Sequence, residues 1–274
     1  MSTDKGSTPR TIEITVDIDT TLEKAWQALA TGEGIARWFA PYATVEPGEH
    51  GSVSVGWDPK EMWSQPITVW EPLRRLQTAS DMPTPDGRVV RLYVDYFLEA
   101  REGGVRVRLV HSGFDDSESW NDYIDGFDAG WSYFMFNLKH ALERHGSVDR
   151  VQRSVRFRTM ETPNQEHPVF GRDGLQVTPP ASGLRAGDRC SLTLGGATVD
   201  ATMVLRHPPR TMAFAVPAWN DALLFVERES LKNPHRLGVW LSLYGVADET
   251  AAKLQGGLDA LQAALSVPEP PAPN

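Results

Sequence analysis

The chain has 274 residues, 41% of them hydrophobic and 23% charged, which suits a soluble globular protein with a sizeable core and leaves room for one large domain or two of ordinary size. Its net charge of −9 lies entirely in the first 148 residues, with 14 basic and 23 acidic side chains against 13 of each in the remainder. Neither part has the basic excess that a phosphate backbone requires, so nucleic acid is excluded as an expected partner.

Residues 11–18 alternate apolar and polar with period two, the mark of a half-buried strand. Thr20 with Glu23 three residues on has the form of a capping box, opening a helix with Leu22, Ala25, Trp26 and Leu29 on its apolar face. Gly32 and Gly34 are expected to break that helix, and a short second one runs from Ile35 to Phe39 before Pro41. Strands are expected at 51–57, 65–71, 73–79 and 89–100, set apart by Glu71-Pro72, Pro85-Asp86-Gly87 and Gly103-Gly104. The last strand, 105–111, carries Val105, Val107 and Leu109 on one face and Arg106 and Arg108 on the other. An acidic connector (Asp115, Asp116, Glu118, Asp122, Asp125) then suits the positive end of a helix dipole. That helix runs to about Arg144 with the stripe Phe127, Trp131, Phe134, Leu138 and Leu142.

Residues 146–150 read as a junction. A strand at 151–159 opens the second half, but Pro163, Pro168, Gly171, Gly174, Pro179, Pro180 and Gly183 stand where the first half has its two short helices. From Gly187 the correspondence resumes. Cys190 to Leu194 parallels Ser52 to Gly56, and Val204 to Arg210 parallels Val69 to Arg74. Gly195-Gly196 reads as a turn, and a hairpin of 223–231 with 237–244 turns at Asn233-Pro234. The ending Leu241-Ser242-Leu243-Tyr244-Gly245-Val246 repeats Leu109-Val110-His111-Ser112-Gly113-Phe114, and each leads into a long helix. The second such helix carries Leu254, Leu258, Leu261 and Leu265, and the proline-rich tail from Pro268 is expected to be disordered.

This order of strand, two short helices, antiparallel sheet and long final helix, with Ile12 to Asp19, Ala25-Trp26, Ala36-Arg37-Trp38-Phe39, the Glu71-Pro72 turn, the Leu109 to Phe114 ending and Gly130-Trp131 with Leu138, resembles the helix-grip superfamily often labelled SRPBCC. That superfamily includes START lipid-transfer domains, birch-pollen-allergen-like proteins and polyketide cyclases. Within it, residues 11–145 are similar to the heat-shock-protein ATPase activator homologue family. The resemblance implies an α+β fold of tandem helix-grip (START-like) domains, each a curved antiparallel sheet wrapped on a long C-terminal helix. Residues 11–147 form the complete copy, and 150–267 a shortened one without the short helix pair. It also implies a cavity between sheet and helix, opening near those short helices.

Seven of the nine tryptophans fall in the first half, and aromatic walls with a few polar points suit a pocket for an apolar molecule. The residues expected to line it are Trp38, Phe39, Trp57, Trp63, His111, Trp131 and Phe134. Trp26 and Trp131 sit on helix faces where core packing alone explains them, whereas Trp38, Trp57 and Trp63 lie near the helix-pair end or in the loop after a strand. His111 shares the parity of Val105, Val107 and Leu109. It would serve either as an acid/base near neutral pH or as a hydrogen-bonding corner residue, and with no partner fixed by sequence no catalytic residue is assigned.

No metal or cofactor is expected. His140 and His145, five apart on a helix, should point to different faces, and the acidic connector fails the calcium-loop pattern with Trp120 in the glycine position. No lysine follows a glycine, so a Walker-type phosphate loop is excluded. The single cysteine, Cys190, rules out an internal disulfide and fits a cytoplasmic location. No apolar run reaches the ~18–20 residues that span a bilayer, and residues 1–10 lack a signal peptide's apolar stretch.

The expected function is a cytoplasmic binding protein for an apolar or aromatic small molecule held in the first domain. The alternatives are a polyketide cyclase/aromatase-like enzyme, with His111 its leading residue, and a protein-interaction module related to chaperone ATPase activators. The second domain is expected to pack against the first or against a second subunit, as in a homodimer, rather than to hold a ligand.

Overall fold

The alternation at the start of the chain produces strand β1 (Arg10–Ile18) in the computed structural model, which describes residues 10–84, 87–115, 117–160, 167–171, 175–231 and 235–268. Helices α1 (Leu22–Ala30) and α2 (Gly32–Ala36) follow. Then come β2 (Tyr42–Glu46), β3 (Ser52–Asp58), β4 (Glu61–Glu71), β5 (Arg75–Pro83), β6 (Val89–Arg101) and β7 (Gly104–Phe114). A 3-10 turn (Glu118–Trp120) leads into the long helix α3 (Asn121–His140), which ends in a π-helical turn (Ala141–His145). These elements make up the first of two compact units, Met1–Val148 and Asp149–Asn274.

The strands of the first unit form one antiparallel sheet in the order β1-β7-β6-β5-β4-β3-β2. Register places Val16 opposite Val107, Val107 opposite Leu98, and Leu109 opposite Tyr96, which in turn faces Leu76. One face of β7 is therefore buried (Val105, Val107, Leu109, His111), as period-two alternation demands. On the other face Arg106 forks onto Asp17 with bonds of 2.9 and 3.1 Å, and the Arg75 and Arg108 guanidinium groups lie 5.0 and 4.2 Å from the Phe97 ring centroid. At the end of β7 the chain turns through Gly113 at φ +103°, where an added Cβ would stand 2.3 Å from the Arg91 carbonyl oxygen.

Several local expectations are corrected. The cap of α1 is Thr21, whose hydroxyl accepts from the Lys24 N–H, because Thr20 is held in the preceding turn by its own N–H to the Ile18 carbonyl. Gly32 and Gly34 do not break a helix; they lie inside α2, which Thr31 caps through the Gly34 N–H at 3.0 Å. Glycine is needed at 34 because a Cβ there would stand 2.0 Å from the Gln27 carbonyl oxygen. Strand β2 was not expected, and Trp63 lies in strand β4 rather than in a loop.

In the second unit β8 (Arg150–Thr159) is followed by β9 (Gln176–Thr178), a 3-10 turn (Ala181–Gly183), β10 (Arg189–Leu194), β11 (Ala197–His207) and β12 (Thr211–Val216). A 3-10 turn (Pro217–Trp219), β13 (Ala222–Arg228), β14 (His235–Tyr244) and α4 (Asp248–Leu265) complete it. The sheet order, β8-β14-β13-β12-β11-β10-β9, repeats that of the first unit strand for strand. Among the described residues no α-helix stands between β8 and β9. Ala251, Leu254, Leu258 and Leu261 of α4 are buried with Val155, Leu192, Met203, Phe214, Leu224 and Leu241 in one core cluster. Gly195 and Gly196 turn between β10 and β11 with positive φ, and Gly195 meets Gly257 of α4 so closely that a Cβ on either would lie about 3 Å from the other.

The turns expected at 85–87 and 233–234 lie wholly or partly outside the described residues, as do Pro163, Gly174, Asp116 and the tail beyond 268. The architecture is α+β, built on two antiparallel seven-stranded sheets. Among the described residues no helix is long and apolar enough to cross a membrane.

Candidate functional site

Three segments of the first unit bring aromatic rings to the buried face of its sheet. The chain leaving α2 supplies Trp38 and Phe39, the β3–β4 hairpin supplies Trp57 and Trp63, and α3 supplies Phe127, Trp131 and Phe134. Phe39 is the hub. Its ring stacks on Trp131 at 5.4 Å and meets Phe134 and Trp57 edge-on at 4.6 and 5.4 Å. Trp57 stacks in turn on Trp63 at 5.3 Å, and Trp131 meets Tyr96 of β6 edge-on at 6.4 Å. The Trp131 Nε1–H donates to His111 Nδ1 at 3.1 Å. All seven residues expected to line a pocket thus belong to one continuous run of rings, from Trp63, 42% exposed, to His111, 4% exposed.

Their burial divides them. Trp38 is enclosed, with its indole N–H on the Ala28 carbonyl at 2.9 Å and its own carbonyl accepting from Asn137 Nδ2 at 2.6 Å. That makes Trp38 the anchor joining the α2 end to α3. Phe39, Trp57, Phe127, Trp131 and Phe134 are only half-buried, although the same helix buries Leu138 and Met135 completely.

Residues 19–143 match the family model of Activator of Hsp90 ATPase homolog 1-like protein. The first unit is AHSA1-like. Among solved structures, the chain is similar to the protein MLL2253 from Mesorhizobium loti (22% identity, covering 48% of this chain and 96% of that one, TM-score 0.43). It is similar to the Aha1 dimer from Colwellia psychrerythraea (21% identity, 49% and 96% covered, TM-score 0.42). A third, DynU16, a protein in the dynemicin biosynthetic locus, has 18% identity, with 93% of this chain and 97% of that one covered and a TM-score of 0.42. No curated protein matches in sequence.

Within the AHSA1-like unit the polar groups on the ring-lined wall are few. Burial holds His111 down to about 4, so its imidazole is neutral at pH 7, and since Nδ1 accepts from Trp131 the ring proton sits on Nε2. Burial likewise pushes the Tyr96 phenol well above its ordinary range. Thr78 donates to Gln65 Oε1 at 2.9 Å. Phe127 was absent from the expected lining, and so was Tyr96. Its parity with Leu92 and Leu98 was readable, but Tyr93 and Phe97 give the opposite face of the same strand an aromatic character too.

His140 and His145 correct another expectation. The π turn carries five residues per hydrogen-bonded step, which aligns i with i+5, so the two rings meet with Nε2 atoms 3.3 Å apart. Among the described residues no group of three or more His, Cys, Asp or Glu is placed to hold a metal ion. The second unit has a groove of about 560 Å³ over β9, β10 and β11, lined by Thr178, Pro179, Arg189, Ser191, Asp200 and Thr202 among others. It opens on the sheet surface and α4 contributes nothing to it, so it is not a sheet-to-helix cavity.

Proposed function

We propose that the AHSA1-like unit is a helix-grip domain that binds an apolar, ring-bearing small molecule between its sheet and α3. The observation that carries this is the half-buried state of Phe39, Trp57, Phe127, Trp131 and Phe134, joined through ring contacts in one cluster beside fully packed neighbours. Aromatic surface left partly uncovered inside a fold gains about 25 cal/mol per Å² when a ligand covers it. The second unit serves as a shortened helix-grip copy without a ligand of its own, since apolar side chains from α4 and the sheet already occupy its interior. The buried thiol of Cys190 suits a cytoplasmic protein.

The enzyme reading is disfavoured by His111. A neutral imidazole with Nδ1 already bonded and a pKa near 4 is a poor general base at pH 7. The test is native mass spectrometry of freshly purified protein, joined to quenching of tryptophan emission by hydrophobic ring compounds. A retained small molecule, or saturable quenching that Trp57→Ala weakens about tenfold, supports the reading. A bare mass with no saturable quenching refutes it, and the same spectrum reports whether the chain is a homodimer.

A further inference from the structure

Two donors stand together on the ring-lined wall. Tyr96 faces Leu109 and His111 faces Val94 in the β6–β7 pairing, which makes them diagonal neighbours on one face of the sheet. Both lie against the Trp131 ring, at 6.4 and 6.2 Å between centroids. Both side chains are more than nine-tenths buried, at 8% and 4% exposed.

Among the described residues neither donor has an acceptor. His111 makes its one hydrogen bond through Nδ1, leaving the Nε2–H without an acceptor among the described residues, and the Tyr96 hydroxyl has no partner there either. Among the described residues of this unit Trp120 Nε1 is the sealed and unpartnered polar side-chain atom, and the His111 and Tyr96 groups, though deep, still reach open space. Two neighbouring donors that have no protein partner and reach open space on one aromatic wall are placed to meet an acceptor on a bound molecule.

Resting on the binding function proposed above, we infer that the ligand carries an acceptor oxygen, a ring ketone or quinone carbonyl, received jointly by the Tyr96 hydroxyl and the His111 Nε2–H. The chemistry of the pair selects this class. Both groups are protonated and uncharged at neutral pH; the His111 Nε2–H can only donate and the Tyr96 hydroxyl can donate or accept, so an acceptor oxygen is the pole that both can meet together. A site built to hydrogen-bond an oxygen rejects the analogue that lacks it, because the buried donors are then left unpaired.

The matched probes are 9-fluorenone and fluorene, one three-ring skeleton with and without the carbonyl, titrated against tryptophan emission of the full chain. Wild type is expected to bind fluorenone about tenfold or more tighter than fluorene. Tyr96→Phe, which keeps the ring, should lower fluorenone affinity about fivefold and leave fluorene unchanged. The fluorenone carbonyl stretch should move to lower wavenumber on binding to wild type and partly return in Tyr96→Phe. Equal affinity for the two probes, or a Tyr96→Phe variant with the wild-type preference, overturns the acceptor-oxygen assignment while leaving the binding function standing. Failure of both probes to bind overturns the two together.

Discussion

Between pH 7.5 and 4.5 acid should weaken the AHSA1-like unit chiefly through His111. His111 has a folded pKa near 4 because burial penalises its charged form, against 6.5 when exposed. The unfolded chain therefore takes up the proton first, so this contribution is intact above pH 6.5 and is lost as pH falls toward 4. Between pH 7.5 and 4.5 the linkage amounts to about 2.5 kcal/mol. His111→Gln removes the titration while its amide oxygen keeps an acceptor for the Trp131 N–H. Urea unfolding followed by tryptophan emission reports mainly on this unit, which holds seven of the nine tryptophans. Wild type should lose about 2.5 kcal/mol more than His111→Gln across that interval. Other titrations are common to both proteins and cancel. They include Glu227, which burial raises to about 7 and whose contribution is lost as pH rises from 4.5 through 7, and His167, held near 3 by burial. Stability curves for the two proteins that stay parallel within about 0.5 kcal/mol would refute the reasoning.

Three further outcomes follow from particular contacts. Asn137→Ala strips the buried Trp38 carbonyl of its donor and should cost about 1–3 kcal/mol in urea midpoint analysis. Gly113→Ala combines a left-handed φ with a Cβ driven onto the Arg91 carbonyl and should cost about 2–3 kcal/mol, whereas Gly103→Ala, at φ +79° with open space around it, should cost about 1 kcal/mol, both read by urea unfolding. Cys190, buried and with its thiol pKa raised by that burial, should react with a thiol-specific disulfide reagent about tenfold or more slowly in native protein than in urea.

What the sequence revealed was periodicity. The alternation in β1 and β7 stands as read, because burial of one face imposes a pattern on the residues themselves, whereas of the stripe Phe127, Trp131, Phe134, Leu138 and Leu142 only Leu138 is fully buried and Leu142 falls in the π turn. Strand β2 escaped because it is five residues long, three of them exposed and none buried, so no core-facing pattern is imposed on its sequence. The glycines of α2 misled because their low helix propensity is overridden by the Thr31 cap and by close backbone contacts that only glycine permits. His140 and His145 were separated by assuming 3.6 residues per turn where the chain winds a π turn. The ring contacts of Phe127 and Tyr96 and the arrangement of the cluster were not anticipated, since Phe39, Trp57 and Trp131 meet only through the tertiary fold. Tyr96 lay on a strand aromatic on both faces, so parity alone gave no reason to single it out.

The strand order also sets a schedule for biosynthesis. In each sheet the last strand made, β7 or β14, lies between the first strand of its unit and the one just before it. While the ribosome is still delivering β2 to β6, β1 has no hydrogen-bonding neighbour, and β6 ends the growing sheet as a bare edge. Arrival of β7 covers both at once, at the entropic cost of closing a loop that spans almost the whole unit. A chain interrupted just before Gly104 would therefore display two sticky edges, and that is the nascent length at which a chaperone has most to protect.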